Sequence, residues 1–380
     1  MPRLISKLFA LFLPLLGLSL LLAGLAWHAG EAMPADRAVK LQQNSPGVIY
    51  GQERGCDLMQ YKLAAYRSRR PEILILGSSL MLFIRSAFFS ENPGAVYNAA
   101  MYSADLTYML EYTARLDHHP NIIIALVKPQ WFIADVETEP SPLSTSLING
   151  CGFEDLLIAM KRTAHYLMGG DLTLSHLIER RGLAYGEPSL GLSAIKKGVG
   201  YRADGSVIRR RLTASLELQD QLRTEALNSH SITIQDDPYT PNPTLNEPAL
   251  DKLDAFLGGW HQEGVTVIGL STPLHFEIYD RMLELGADSG NVDESARRIA
   301  AIFSAYGFSY HLISDLRAYG MADYDWIDTA HLTESGSLRL MFSLFQQHPG
   351  LFEPYTDIDK VDSLLANYTN PMDVLRELDS

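Results

Sequence analysis

Five short apolar runs punctuate the chain, at residues 72–76, 94–101 (GAVYNAAM), 121–127 (NIIIALV), 265–271 (VTVIGLS) and 308–313 (FSYHLI). Most are continuous rather than alternating, the pattern of strands covered on both faces. Apolar positions recur with helical spacing over 103–116, 248–263, 292–306 and 333–347. This order predicts a three-layer α/β domain on a mainly parallel five-stranded sheet. In such sheets ligands gather outside the carboxyl ends of the strands. From about 135 to 245 the alternation breaks. The stretches FEDLLIAMKRTAHYLM and RLTASLELQDQLRTEALN predict a mostly helical insertion, which either shapes a substrate groove or is purely structural. The polar residues 31–70 read as a stalk ahead of a domain over 71–380. The scattered glycines of GVGYRADG lack the strand-turn-helix setting of a nucleotide loop.

Residues 8–27, LFALFLPLLGLSLLLAGLAW, change the picture. About 20 apolar residues span a bilayer as a helix. Arg3 and Lys7 precede the run and no acid appears before Glu31, so residues 1–30 predict a single-pass anchor with the remainder outside the cytoplasm, in a periplasm or at the cell surface. A cleaved signal peptide is the alternative, with LAGLA as its small-residue region. The chain has 380 residues, 47% hydrophobic and 20% charged, with a formal net charge of −14. No basic cluster accompanies that charge, which argues against nucleic acid as a partner; the run Arg209, Arg210, Arg211 reads as a solvated helix end. Export gives meaning to the two cysteines, Cys56 and Cys151, which either pair as a disulfide or stay as buried thiols.

Two stretches carry chemistry. In EILILGSSLMLFIRS (72–86) a strand stops at Gly77-Ser78-Ser79 and a helical pattern begins at once. That order places a serine at a helix N-terminus, as a helix cap or as a nucleophile beside free backbone N–H groups. In DYDWIDTAHLTESGSLRL (323–340), Asp328 and His331 are three residues apart, ahead of a helix capped near Thr333. A carboxylate at that spacing reaches the imidazole Nδ1 and leaves Nε2 outward as a base. Asp323, Asp325, Asp328 and His331 are also possible metal ligands, but acids suit a loop that caps a helix, and no metal or other cofactor is expected. His118, His119, His261 and His275 read as loop or surface histidines.

The GSS turn and the D-x-x-H block resemble the first and last blocks of the SGNH (GDSL-type) hydrolase superfamily. KPQWF (128–132) is similar to the PQWF stretch of the DltD family, membrane-anchored extracytoplasmic proteins that assist D-alanylation of teichoic acids. The resemblance spans roughly 70–132 and 265–345 and implies a flavodoxin-like fold. It also implies a triad of Ser79 as nucleophile, Asp328 as orienting acid and His331 as base. Ser78 stands where the aspartate of GDS is usual, and Ala100 where the oxyanion-hole glycine is usual. No GxND block is present. Oxyanion donors expected from the resemblance are the N–H groups of Ser79 and Ala100 and the Gln130 amide, with Asn98 and Trp131 facing substrate. The implied activity is acyl transfer, D-alanyl or acetyl, to a cell-envelope polymer through an acyl-serine. A multi-spanning membrane O-acyltransferase is the implied partner. The alternatives are an O-acetyltransferase or deacetylase acting on an exopolysaccharide, and a non-catalytic polymer-binding subunit.

Overall fold

The computed structural model describes residues 2–45, 47–53, 58–133, 152–184, 186–229, 245–284 and 290–375, with side chains of 2–11 and 290–293 outside the description. Both cysteines, and with them the disulfide expectation, lie outside the described residues. The chain divides into two compact units. One holds residues 1–65, 149–203 and 207–211; the other holds 66–148, 204–206 and 212–380.

The second unit is a mixed α/β fold built on one parallel sheet, consistent with a flavodoxin-like arrangement. Its strands are β1 (Ile73–Leu76), β2 (Val96–Asn98), β3 (Ile122–Leu126), β4 (Thr266–Ser271) and β5 (Ser309–Leu312). They pair in the order β2-β1-β3-β4-β5, every neighbour parallel. Its longer helices are α1 (Leu106–Thr113), α2 (Leu216–Ser229), α3 (Glu247–Gln262), α4 (Phe276–Glu284), α5 (Gly290–Ala305), α6 (Glu334–Gln347) and α7 (Ile358–Asn367). The continuous apolar runs have their expected cause: β1 and β3 are buried along their whole length. Gly269 in β4 is needed because a Cβ there would fall 2.3 Å from the Phe303 ring of α5. The order reverses direction between β1 and β3. That switch point, at the carboxyl ends of the strands, is where open α/β sheets bind ligands.

The first unit differs from the expectation of a stalk, and the insertion, helical over most of its described residues, also supplies short strands. Residues 31–65 carry the helix Ala35–Asn44, the strand Ile49–Tyr50 and the start of a further helix, Leu58–Arg69. Ile49–Tyr50 runs parallel to Ser189–Leu190 and antiparallel to Val199–Tyr201, in a four-stranded sheet completed by Val207–Arg209. The pairing is sealed by polar groups inside an aromatic cluster. Gln42 donates to the carbonyls of Val48 and Tyr201, both at 2.9 Å, and accepts from the Tyr61 hydroxyl at 2.6 Å. Strands of two or three residues bury too few side chains to leave a period in the sequence. The N-terminal residues form one helix, Pro2–His28. Among the described residues no helix is long and apolar enough to cross a membrane; in this helix the described side chains begin at Phe12.

Candidate active site

The site starts where β1 ends. Gly77 has φ +151°, and a Cβ there would lie 2.6 Å from the Leu126 Cβ and 2.9 Å from the Met81 Cγ. Only glycine lets the chain turn this tightly against β3. Ser78 then caps a single 3-10 turn, Ser79–Met81, with its Oγ 3.5 Å from the Leu80 nitrogen. Capping thus belongs to Ser78, not Ser79. Ser79 is left with a half-buried hydroxyl and a backbone N–H that has no partner among the described residues. The cap falls to Ser78, which leaves the Ser79 hydroxyl to another partner.

The Ser79 Oγ lies 2.8 Å from the His331 Nε2, and the His331 Nδ1 lies 2.8 Å from the Asp328 Oδ2. The Asp328 Oδ1 also accepts from the backbone N–H of Ala330 (2.9 Å) and His331 (2.8 Å). Burial opposes ionisation of this carboxyl, but the His331 hydrogen bond, its charge and the two backbone N–H groups outweigh it, bringing the pKa down to about 2. The acid is therefore a carboxylate at neutral pH. It fixes Nδ1 as the protonated nitrogen and leaves Nε2 to accept the serine proton.

The loop that presents His331 is held from below. The chain doubles back through an antiparallel bridge between Trp326 and Leu332 and a bond from the Ile327 N–H to the His331 carbonyl (2.8 Å). Thr333 caps α6, its Oγ1 accepting from the Gly336 N–H at 3.2 Å, while its own N–H donates to the Asp325 carbonyl at 2.9 Å. A Cβ on Gly336 would fall 2.3 Å from that carbonyl, so glycine allows the helix to approach the loop. The Asp325 carboxylate is fully buried and accepts from the Ser335 hydroxyl, the Arg339 Nε (3.0 Å) and the Ala322 N–H (2.9 Å). Burial disfavours the Arg339 cation, and the Asp325 charge more than offsets this, raising its pKa. Residues 323–331 are thus fixed to α6 by a buried ion pair, and Asp325 serves the loop rather than a metal. Among the described residues no cluster of three metal-ligating side chains occurs.

Two sequence expectations are placed differently. Ala100 cannot serve the oxyanion, because its N–H donates to the Asn98 Oδ1 at 2.9 Å; the flanking N–H groups of Ala99 and Met101 bond the carbonyls of Ile75 and Gly77. Asn98 does not face substrate. It is 1% exposed and donates to the carbonyls of Met81 and Ile84, both at 2.8 Å, lashing the Ser79 turn to β2. His275 lies in a loop, as expected, but a fully buried one: its N–H holds the Thr329 carbonyl at 2.8 Å, and its Nε2 sits 3.5 Å from the Asp323 carboxylate. Burial lowers its pKa, which Asp323 opposes.

Gln130 and Trp131 lie half-buried on the 3-10 turn Pro129–Phe132, which follows β3 on the other side of the switch point. The Gln130 amide makes no hydrogen bond among the described residues, so of the expected oxyanion donors it and the Ser79 N–H are the two left unengaged. No family model, curated protein or solved structure matches this chain. The site is read from its geometry alone. Lys128 is a residue that sequence reasoning passed over. It follows β3 at the same sheet edge, has no ion-pair partner among the described residues, and burial lowers its pKa. Its one signal was its place at the head of KPQWF.

Proposed function

We propose that this chain is a membrane-anchored, extracytoplasmic serine acyltransferase of the SGNH type, similar to DltD, that passes an acyl group such as D-alanyl or acetyl to a cell-envelope polymer. The observation that carries this reading is the hydrogen-bonded series from Ser79 through His331 to Asp328 at the switch point of the sheet. His331 Nε2 takes the Ser79 proton as Oγ bonds to the acyl carbonyl carbon. The oxyanion formed there is met by the Ser79 N–H and the Gln130 amide. Collapse breaks the bond to the donor's leaving group, which departs with the proton from His331. An acceptor hydroxyl then gives its proton to His331, attacks the acyl-serine, and leaves as the new ester with Ser79 restored.

Transfer is favoured over hydrolysis because the Ala100 N–H is engaged. Loss of one oxyanion donor typically lowers rate by ~10²–10³. A tethered enzyme that holds donor and acceptor together offsets such a loss by positioning, whereas hydrolysis of a freely diffusing ester does not. The anchor reading rests on the apolar run 8–27 and on Phe12, Leu13, Leu15, Leu16, Leu18, Leu20 and Leu21, each more than half exposed. A helix apolar on all sides is at home in lipid. A membrane O-acyltransferase remains the partner that this reading calls for.

The test is labelling of the full chain with a serine-directed fluorophosphonate, alongside polymer acylation in cells. Wild type should label and Ser79→Ala should not, and the same substitution should abolish acylation. A wild-type chain that does not label would leave a non-catalytic subunit, and labelling that survives Ser79→Ala would place the nucleophile elsewhere. Rapid hydrolysis of p-nitrophenyl acetate without any effect of Ser79→Ala on polymer acylation would turn the reading to an esterase.

A further inference from the structure

A groove of about 530 Å³ opens beside the triad loop, between α2, α6, α7 and the 3-10 turn Asp323–Asp325. Its volume falls in the range of small-ligand sites, about 300–1,000 Å³. Two tyrosines, Tyr324 and Tyr368, form part of its wall, their rings inclined at 64° with centroids 6.4 Å apart. Tyr324 is 45% exposed. The polar wall is supplied by Arg223 and Arg339, matched by Asp220 and Asp323.

The cations here are already answered. Arg223 pairs with Asp220, and Arg339 bonds Asp325 at 3.0 Å. A polyanion would gain little net attraction from such a surface, and an acyl chain would strand the charged wall against hydrocarbon. A sugar ring has a flat C–H face and a rim of hydroxyls that both donate and accept. Tyrosines offer a flat apolar body with a polar tip, and paired guanidinium and carboxylate groups present donors and acceptors side by side.

The groove is tied to the reacting atoms. Tyr324 precedes Asp328 by four residues, so their Cα atoms are at most about 14 Å apart. Asp323 lies 3.5 Å from the buried His275 Nε2, and the His275 N–H holds the Thr329 carbonyl next to Asp328. We infer that this groove is a binding subsite for a neutral glycan chain, which seats the acceptor polymer a short distance from the sugar unit that Ser79 acylates. The inference rests on the acyl-transfer reading for its role, while sugar binding itself is independent of it.

Calorimetry on the full-length Ser79→Ala chain in a non-glycosidic detergent tests it. The probes are hexasaccharides of β-1,4-linked glucose, of β-1,4-linked N-acetylglucosamine and of α-1,6-linked glucose, with a glycerol-phosphate hexamer as the anionic comparison. At least one neutral probe should bind with a Kd below about 1 mM. Adding Tyr324→Ala should weaken it about fivefold, the loss expected of one aromatic wall. No neutral binding up to about 10 mM, tighter binding of the glycerol-phosphate hexamer, or a Kd unchanged by both Tyr324→Ala and Asp220→Ala would overturn the subsite. Fluorophosphonate labelling of the wild-type chain separates the two ideas. Labelling without glycan binding sinks the groove alone, and glycan binding without labelling sinks acyl transfer alone.

Discussion

Asp328 does two jobs with one carboxylate, since it accepts from the imidazole it orients and from the backbone that carries that imidazole. Asp328→Asn should reduce acyl transfer by about 10³–10⁴, because an amide can hold His331 in the tautomer that has no free Nε2 lone pair. Its folded pKa, about 2, lies below the ordinary 3.8. The charged form therefore stabilises the folded chain fully above about pH 4, and that contribution is lost as pH falls through 2. In urea titrations the gap between wild type and Asp328→Asn should be constant from about pH 7 to 5 and narrow below about pH 4; a gap that widened with acid would contradict the assignment. Asn98 makes a different prediction from the substrate contact that the sequence suggested. Asn98→Ala strands the carbonyls of Met81 and Ile84 and should destabilise the fold by about 2 kcal/mol. A rise in KM with no change in urea midpoint would return Asn98 to the substrate.

At the scale of elements, the triad depends on how a loop and a helix are locked. The turn Asp323–Asp325, the doubled-back segment ending at His331 and the helix α6 meet at the buried carboxylate of Asp325. Removing the cation of such a pair leaves an unpaired buried charge. Arg339→Met should therefore cost about 3 kcal/mol in a urea titration, and fluorophosphonate labelling should slow with it, although Arg339 bonds no triad member. Full labelling rate in a destabilised Arg339→Met chain would show that the loop holds its geometry without the pair. The D-x-x-H spacing was legible because three residues is a local distance. The ion pair was not, since Asp325 and Arg339 are 14 residues apart and only the packing of the loop on α6 brings them together.

At the scale of the whole molecule, the N-terminal helix belongs to a folded unit and is no detachable tether. Ala29 is fully buried with Tyr166, Leu172, Leu177, Leu192 and Ile195. Just beyond the helix, the buried Glu31 accepts from the N–H groups of Leu192 (2.8 Å) and Glu53 (3.0 Å). Burial drives its pKa up to about 7, against the lowering effect of those bonds. The Arg180 Nε donates to the His28 carbonyl at 2.9 Å. A chain that begins at residue 31 loses Ala26 and Ala29, both fully buried. It should aggregate or melt at least about 5 °C lower in its first transition than a chain begun at residue 24. Equal melting of the two would show residues 31–380 to be a self-sufficient piece.

The apolar runs and their helical intervals determined the parallel sheet, because strands buried on both faces must be apolar throughout and leave that mark in any sequence. The Gly77-Ser78-Ser79 turn and the Asp328–His331 spacing were equally legible, since each is set by backbone geometry within one turn. Tertiary structure decided the rest. Which serine caps and which is free, and where the Ala100 N–H goes, depend on the side chains of Ser78 and Asn98 in a packed interior. The union of residues 31–65 with 152–203 rests on strands of two and three residues paired across more than a hundred positions. Such pairing is stabilised by contacts the chain makes only once folded, and no local period records it.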